Sequence, residues 1–147
     1  MTNLEIFVTI FCALIGYFSV SKFLNRNNKE LTEEEFKILR EKGTELAFSG
    51  KYDKFYEKGD YVCKGCGEKL FEGESKFDSG CGWPSFSKPV NEEKIEETLD
   101  TSLGRVRTEI TCSKCDGHMG HVFNDGPTST GKRYCVNSVS IEFKKRD

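Results

Sequence analysis

The sequence predicts a mainly β chain with few helices, of the α+β class, in which two antiparallel sheets are stapled by a four-cysteine metal site and preceded by an N-terminal membrane helix. Three observations carry that prediction. Cys63/Cys66 and Cys112/Cys115 form two Cys-x-x-Cys turns. Short apolar segments separated by Gly, Asp, Asn and Pro succeed one another with no strand-helix-strand alternation and no internal repeat. The run from Ile6 to Ser21 carries no charge.

That run reads IFVTIFCALIGYFSVS, and Phe23 and Leu24 lengthen it if Lys22 snorkels towards the interface. It is apolar on every face and has no amphipathic period, so residues 4–24 are read as a single-pass anchor, with Cys12 an apolar filler inside it. Lys22, Arg26 and Lys29 come after the span and Glu5 precedes it, an asymmetry that puts the domain beyond it in the cytoplasm. A cleaved signal peptide ending near Ser21 is the alternative and would make the protein secreted or periplasmic. Small residues at Ser19-Val20-Ser21 favour it; an n-region with Glu5 and no lysine or arginine opposes it.

Residues 25–30 form a polar linker, and residues 31–147 form one domain. Its first element is a helix. Thr32 is the N-cap, Glu35 completes a capping box, and Leu31 with Phe36 forms a hydrophobic staple. The helix is expected from Glu33 to about Lys42, with Gly43 taking the left-handed position after its end. Strands are expected around Tyr61–Cys63, Lys69–Phe71, Arg105–Cys112, His121–Phe123 and Arg133–Phe143.

In the last of these, period-2 alternation gives Arg133, Cys135, Asn137, Val139, Ile141 and Phe143 a common face. Arg133 and Asn137 then flank the Cys135 thiol. A guanidinium there favours the thiolate, and an amide can bind thiolate or substrate. Pattern alone leaves buried apolar filler as the competing reading of Cys135.

The cysteine pairs divide the chain's seven cysteines. Each pair sits among small or polar residues, and the residues directly after it, Gly67 in one case and Asp116-Gly117 in the other, continue a turn. A redox Cys-x-x-Cys needs a helix N-terminus at that point, so the spacing favours a tetrahedral zinc site formed by Cys63, Cys66, Cys112 and Cys115 over a disulfide or redox motif. With every position filled by protein, such a zinc is structural. The chemistry must lie elsewhere.

At 147 residues with a formal charge of -2, the chain offers one core and no positive field for nucleic acid. The interleaved Lys and Glu of Glu57–Lys69 and Glu92–Glu97 are read as solvated faces.

Lys42-Gly43-Thr44-Glu45, the stretch Lys76 to Phe86 (KFDSGCGWPSF), Gly120-His121-Val122-Phe123 with Asp125-Gly126-Pro127, and Gly131 to Ser138 (GKRYCVNS) together resemble the methionine-R-sulfoxide reductases, the MsrB family, in its zinc-containing form. The resemblance runs from about Leu31 to Phe143. It implies a peptide-methionine (R)-S-oxide reductase that repairs oxidised methionine in proteins. Cys135 would be the nucleophile, Cys81 the resolving cysteine, and the four knuckle cysteines the ligands of one structural Zn2+. The resemblance also implies a pocket lined by His121, Trp83 and Asn137, with His118 nearby, and a thioredoxin-like reductant.

The chemistry asks for these residue types. A sulfoxide sulfur becomes electrophilic when its oxygen is protonated, so a thiolate on one side and a donor, His121, on the other are required. Attack by Cys135 leaves a sulfenic acid, Cys81 closes a disulfide, and a dithiol restores both thiols. Trp83 offers an aromatic wall for the S-methyl group, with a plain core tryptophan as the competing reading. Arg133 adds its charge beside the nucleophile, and His118 is as readily a structural histidine. The protein is expected to act as a monomer with no nucleic-acid partner. A zinc-ribbon binding module is the reading from a different class. Against it stands the conjunction of Cys81, Trp83, His121, Cys135 and Asn137 in one sequence.

Overall fold

The computed structural model describes residues 12–17 and 30–147. Residues 12–17 are helical and exposed. The rest of the expected anchor lies outside the described residues, and among the described residues no helix is long and apolar enough to cross a membrane.

The capped helix forms as its sequence asks. Glu33–Leu39 is helical, Thr32 accepts from the Glu35 N–H, and the Glu35 carboxylate accepts from the Thr32 N–H. Leu31 packs against the core edge, whereas Phe36 is half exposed. The helix stops short of the expected Lys42: Arg40 is its C-cap, and the Arg40 guanidinium reaches the Cys115 carbonyl at 3.0 Å. Lys42, not Gly43, takes the positive φ of 59°. Gly43 is required for a different reason: its N–H reaches the Lys37 carbonyl, and a Cβ there would sit 2.9 Å from that oxygen.

Among the described residues, nine strands make two antiparallel sheets. β1 (Gly59–Cys63), β2 (Lys69–Glu72) and β9 (Ile141–Lys145) form a three-stranded sheet in the order β2-β1-β9. The other six are β3 (Lys76–Phe77), β4 (Ser85–Phe86), β5 (Ile95–Asp100), β6 (Arg107–Cys112), β7 (His118–Phe123) and β8 (Arg133–Val136), in the order β3-β4-β8-β7-β6-β5. Aromatic side chains fill the space between the sheets. Phe71 of β2 stacks on Phe86 of β4 with ring centroids 4.4 Å apart, and Tyr61 of β1 meets Phe86 edge-on at 5.1 Å.

The expected strand Arg133–Phe143 is two strands in different sheets. After Val136 the chain makes one 3₁₀ turn, Ser138–Ser140, and crosses from the large sheet to the small one as β9. Side chains replace the lost ladder: Ser138 Oγ accepts from the Tyr52 N–H, and Ser140 Oγ donates to the His118 carbonyl at 2.8 Å. The crossing also resets the alternation. Tyr134 and Val136 enter the core from β8, and Ile141 enters it from β9. A single face carrying Arg133 through Phe143 is therefore not formed.

The short strands β3 and β4 and the edge strand β5 had no sequence forecast. β5 lies where Glu92–Glu97 was read as a solvated face, and four consecutive side chains of it, Glu96 to Leu99, are exposed. Because Phe86 is fully buried between the sheets and touches both, Phe86→Ala is expected to cost about 3–5 kcal/mol. Denaturant unfolding measures this, and a loss below about 1 kcal/mol would contradict the packing described.

Candidate active site and metal cluster

The two Cys-x-x-Cys turns are copies of one another. Cys63 ends β1 and Cys112 ends β6, and each accepts, through its carbonyl, the N–H four residues on, Gly67 and Asp116, at 2.8 Å. Those two residues take positive φ, 81° and 62°. The N–H of Cys63 returns to the Glu68 carbonyl, and that of Cys112 to the Gly117 carbonyl. The turns thus bring Cys63 and Cys66, from the small sheet, against Cys112 and Cys115, from the large one.

All four sulfurs lie within 4.8 Å of one another, with Cys63–Cys115 at 3.6 Å and Cys66–Cys112 at 3.7 Å. Sulfurs held about 2.3 Å from a tetrahedral centre are spaced by about 3.8 Å, so the set fits a metal ion. Four thiols this close cannot all ionise unless a cation shares the charge: neighbouring sulfurs and burial push Cys63 up, while Cys112 first and then Cys63 pull Cys115 down. Cys63, Cys112 and Cys115 are fully buried.

The second group of sulfurs lies in a pocket of about 250 Å³ lined by Thr44, Cys81, Trp83, Arg105, Arg107, Gly120, His121, Phe123, Arg133, Cys135, Val136 and Asn137. Strand register explains how the polar members meet. Across β7 and β8, His121 stands opposite Cys135 and Phe123 opposite Arg133, and across β4 and β8 Ser85 stands opposite Cys135. Gly120 lets β7 pass close to β8, since a Cβ there would fall on the Cys135 carbonyl oxygen. Cys81 arrives from the loop before β4, and its sulfur is 3.9 Å from that of Cys135.

The two thiols share one negative charge. The S–H of Cys135 first, and then the hydroxyls of Ser79 and Ser85, hold Cys81 well below the usual thiol range. The charge on Cys81, together with burial, pushes Cys135 up. Arg133 pulls the Cys135 thiol down, as the sequence implied, but in the resting pair it is outweighed. Its guanidinium is fixed by a two-point ion pair with Asp125 at 2.9 and 3.0 Å and lies over the Phe123 ring at 4.5 Å.

His121 Nε2 is 2.7 Å from Asp100 Oδ2. Ser102 and then His121 hold the Asp100 carboxyl well below the usual carboxylate range, so it stays an acceptor and the proton of this contact lies on Nε2. Trp83 donates its indole N–H to the Glu45 carbonyl at 3.2 Å, with its ring on the pocket wall. Asn137 lines the pocket while both ends of its amide are engaged: Oδ1 accepts from the Glu45 N–H, and Nδ2 donates to the Met119 carbonyl. His118 lies behind the pocket, 2% exposed, 5.7 Å edge-on from the His121 ring and 3.7 Å from Glu109, with burial lowering its pKa.

Asp100, Arg105, Arg107 and Glu45 are the residues that sequence reasoning missed. Asp100 and Arg107 face each other across the β5–β6 hairpin, and the turn signal Thr101-Ser102-Leu103-Gly104 was the available clue.

Two sulfurs within reach of a disulfide, in a pocket with an anchored histidine and a tryptophan wall, define a thiol oxidoreductase. The chain matches the SelR domain over residues 31–145. It is 57% identical over 119 residues to a peptide methionine sulfoxide reductase MsrB of Hahella chejuensis, covering 81% of this chain and 86% of that one. Those of Teredinibacter turnerae and Acinetobacter baylyi are each 59% identical over 116 residues, covering 79% of this chain and 86% and 84% of theirs. Among solved structures, the Mis18 "Yippee-like" domain aligns with a TM-score of 0.49 at 19% identity, over 62% of this chain and 99% of that one. The chain belongs to the SelR domain family.

Removing the competitor for the shared charge is expected to lower the Cys135 pKa in Cys81→Ser, because Cys81 is the largest cause holding it up. The pH dependence of Cys135 alkylation, followed by mass spectrometry, should shift to lower pH than in the wild type. An unmoved or higher midpoint would contradict the shared charge.

Proposed function

We propose that this chain reduces the R epimer of methionine sulfoxide in peptides and proteins, and so repairs oxidative damage. The observation that carries the reading is the 3.9 Å approach of the Cys81 and Cys135 sulfurs in a pocket walled by Trp83 and His121. The names of the MsrB relatives support it.

Cys135 passes its S–H proton to the Cys81 thiolate and attacks the sulfoxide sulfur, while His121, its Nε2–H held by Asp100, delivers a proton from Nδ1 to the oxygen directly or through one water. The oxygen passes to Cys135 as a sulfenic acid and methionine leaves, so Cys135 is oxidised by two electrons and the substrate is reduced by two. Cys81 then attacks the sulfenic sulfur, expelling water and closing the Cys81–Cys135 disulfide. A disulfide bond is about 2.05 Å, so the sulfurs need to close by only about 2 Å. A thioredoxin-like dithiol takes the disulfide back to two thiols.

The Trp83 ring receives the S-methyl group, and with the oxygen directed to His121 this leaves one lone-pair face of sulfur towards Cys135. Asn137 and Arg133 line the pocket on either side of Cys135 in the chain. His118 supports the His121 ring from behind and does not enter the pocket lining.

Protein-bound methionine is favoured over the free amino acid because the segments beside the pocket carry exposed apolar side chains. Leu46 and Phe48 lie on one side, with Phe48 bonded through its N–H to the Gly82 carbonyl, and Leu103 and Val106 flank the pocket residue Arg105 on the other. Zinc is the ion proposed for Cys63, Cys66, Cys112 and Cys115, where it would join the sheets and take no part in the reaction. The uncharged run and its basic flank support a membrane anchor over residues 4–24, with the domain of residues 31–147 on the cytoplasmic side.

Separately prepared R and S epimers of a peptide methionine sulfoxide test the activity. Selective loss of the R epimer with excess dithiol, abolished in Cys135→Ser, is expected. Turnover of neither epimer by folded, metal-loaded protein would reject it. Cys81→Ser is expected to perform one reduction per molecule and to work with a small thiol but not with thioredoxin. Full thioredoxin-driven turnover would remove Cys81 as the resolving cysteine.

The metal assignment predicts about one zinc per chain by elemental analysis, and collapse of the folded signal in circular dichroism when the metal is stripped. A stable apo protein of unchanged activity would refute it.

A further inference from the structure

Thr44 lines the active pocket, but its neighbour Glu45 turns inwards and is 8% exposed. Its carboxylate accepts from the main-chain N–H groups of Val139, at 3.2 Å, and Ser138. Gly50 covers it closely, since a Cβ at that position would fall on Glu45 Oε2 and the Ser138 side chain. Burying a carboxylate is costly unless its oxygens are hydrogen-bonded, and here burial raises its pKa while the two backbone donors lower it. A charged group retained in such a place needs an account that simple solubility does not provide.

The main chain of the same residue supplies one. The Glu45 carbonyl accepts the Trp83 indole N–H at 3.2 Å, and the Glu45 N–H donates to Asn137 Oδ1 at 3.0 Å. Asn137 is then held from its other end by the Met119 carbonyl at 3.1 Å. Three parts of the site therefore converge on Glu45: the tryptophan wall, the Asn137 amide two residues beyond Cys135, and the 3₁₀ turn Ser138–Ser140 that ends the nucleophile's strand. The carboxylate ties the segment to the turn, and the main chain ties the segment to the wall.

We propose that Glu45 is a positioning residue which, through its buried carboxylate, fixes the Trp83 wall relative to the Cys135 strand and thereby sets substrate affinity and epimer choice. This rests on the reductase reading above. Glu45 touches no reacting atom, so its loss should weaken the hold on the substrate more than it slows the bond-making step. Glu45→Gln keeps the volume but exchanges one acceptor oxygen for an amide nitrogen that cannot accept from Ser138 or Val139.

The test uses the full-length chain and the fact that Trp83 is its only tryptophan, so intrinsic fluorescence reports the wall directly. Three quantities are compared between wild type and Glu45→Gln: KM and kcat for the R epimer of a peptide sulfoxide with excess dithiol, the ratio of R to S turnover, and tryptophan emission with acrylamide quenching. The expected result is a KM raised about tenfold, kcat within about threefold, a lower R-to-S ratio, and an emission that is red-shifted and more readily quenched. A folded Glu45→Gln protein with unchanged KM and unchanged emission overturns the proposal. So does a loss confined to kcat with the tryptophan signal unmoved.

Should Glu45→Gln fail to fold, Trp83→Phe keeps an aromatic ring at the wall and deletes the donor to the Glu45 carbonyl together with the second ring of the indole. It is expected to raise KM severalfold with kcat less affected, and an unchanged KM there overturns the proposal. Wild-type turnover in the same assay keeps failure of the reductase reading separate from failure of the positioning role.

Discussion

A cluster of four cysteine sulfurs at the junction of two sheets is the constraint on which the rest of this molecule depends. Cys63 and Cys66 belong to the turn leaving β1, and Cys112 and Cys115 to the turn leaving β6, so the cluster joins a small sheet to a large one at a corner made by two turns. The aromatic layer of Tyr61, Phe71, Phe86 and Tyr134 closes the interior between them. Arg40 links the helix to the same corner through the Cys115 carbonyl. A domain of this size, with one short helix and strands of two to six residues, has limited apolar area to bury, and a metal ion held by the four cysteines, as proposed, would compensate for it.

The position of the reactive thiols is a consequence of the chain's passage between the sheets. β8 pairs within the large sheet up to Val136 and then leaves it through the Ser138–Ser140 turn to become β9 of the small sheet. A strand about to leave its sheet opens a gap beyond its last paired residue, and the pocket lies there, bounded by β7 on one side and the Cys81–Trp83 loop on the other. Cys135, the proposed nucleophile, is held in place because β4 and β7 pair with its strand from both sides. The partner thiol is on a loop and can approach. Glu45 and Asn137 secure the exit of the strand, so the same interactions that end β8 also bound the cavity.

Much of this was legible because the relevant signals are local. The capping box of Thr32 and Glu35 is a matter of three residues, and the knuckles are set by Cys-x-x-Cys with Gly67 or Asp116-Gly117 next in the chain, so sequence and structure agree at both. The face shared by Arg133 and Cys135 was readable from alternation within one strand. What alternation could not reveal was the break at Asn137. Nothing in Val-Asn-Ser-Val-Ser forbids a strand, and the crossing is imposed by partners distant in sequence: Glu45, Tyr52 and His118. Asp100 and Arg107 were hidden for a related reason. β5 is an edge strand whose exposed glutamates carry no apolar period, so its hairpin with β6, and with it the carboxylate that anchors His121, emerges only when the sheet is assembled. The membrane anchor read from the run Ile6 to Ser21 falls largely outside the described residues.

The same element, cysteine sulfur, serves two opposed purposes here, and burial and neighbours decide which. Cys63, Cys112 and Cys115 have no solvent exposure and stand among other sulfurs, a setting that favours a shared cation and denies access to an attacking thiol. Cys81 and Cys135 are only partly buried, sit in a pair, and are surrounded by hydroxyls, a guanidinium and an imidazole. Thiol exchange needs both a stabilised thiolate and an open line of attack, and only this second pair has them. The two sites must also be kept apart. A sulfenic acid on Cys135 would be captured by whichever thiol could reach it, and the sulfur within 3.9 Å is Cys81, whereas the knuckle cysteines are held by their own turns in a separate cluster. Geometry would thus commit an oxidised Cys135 to a single partner, which is the condition the proposed cycle needs to return to its starting state.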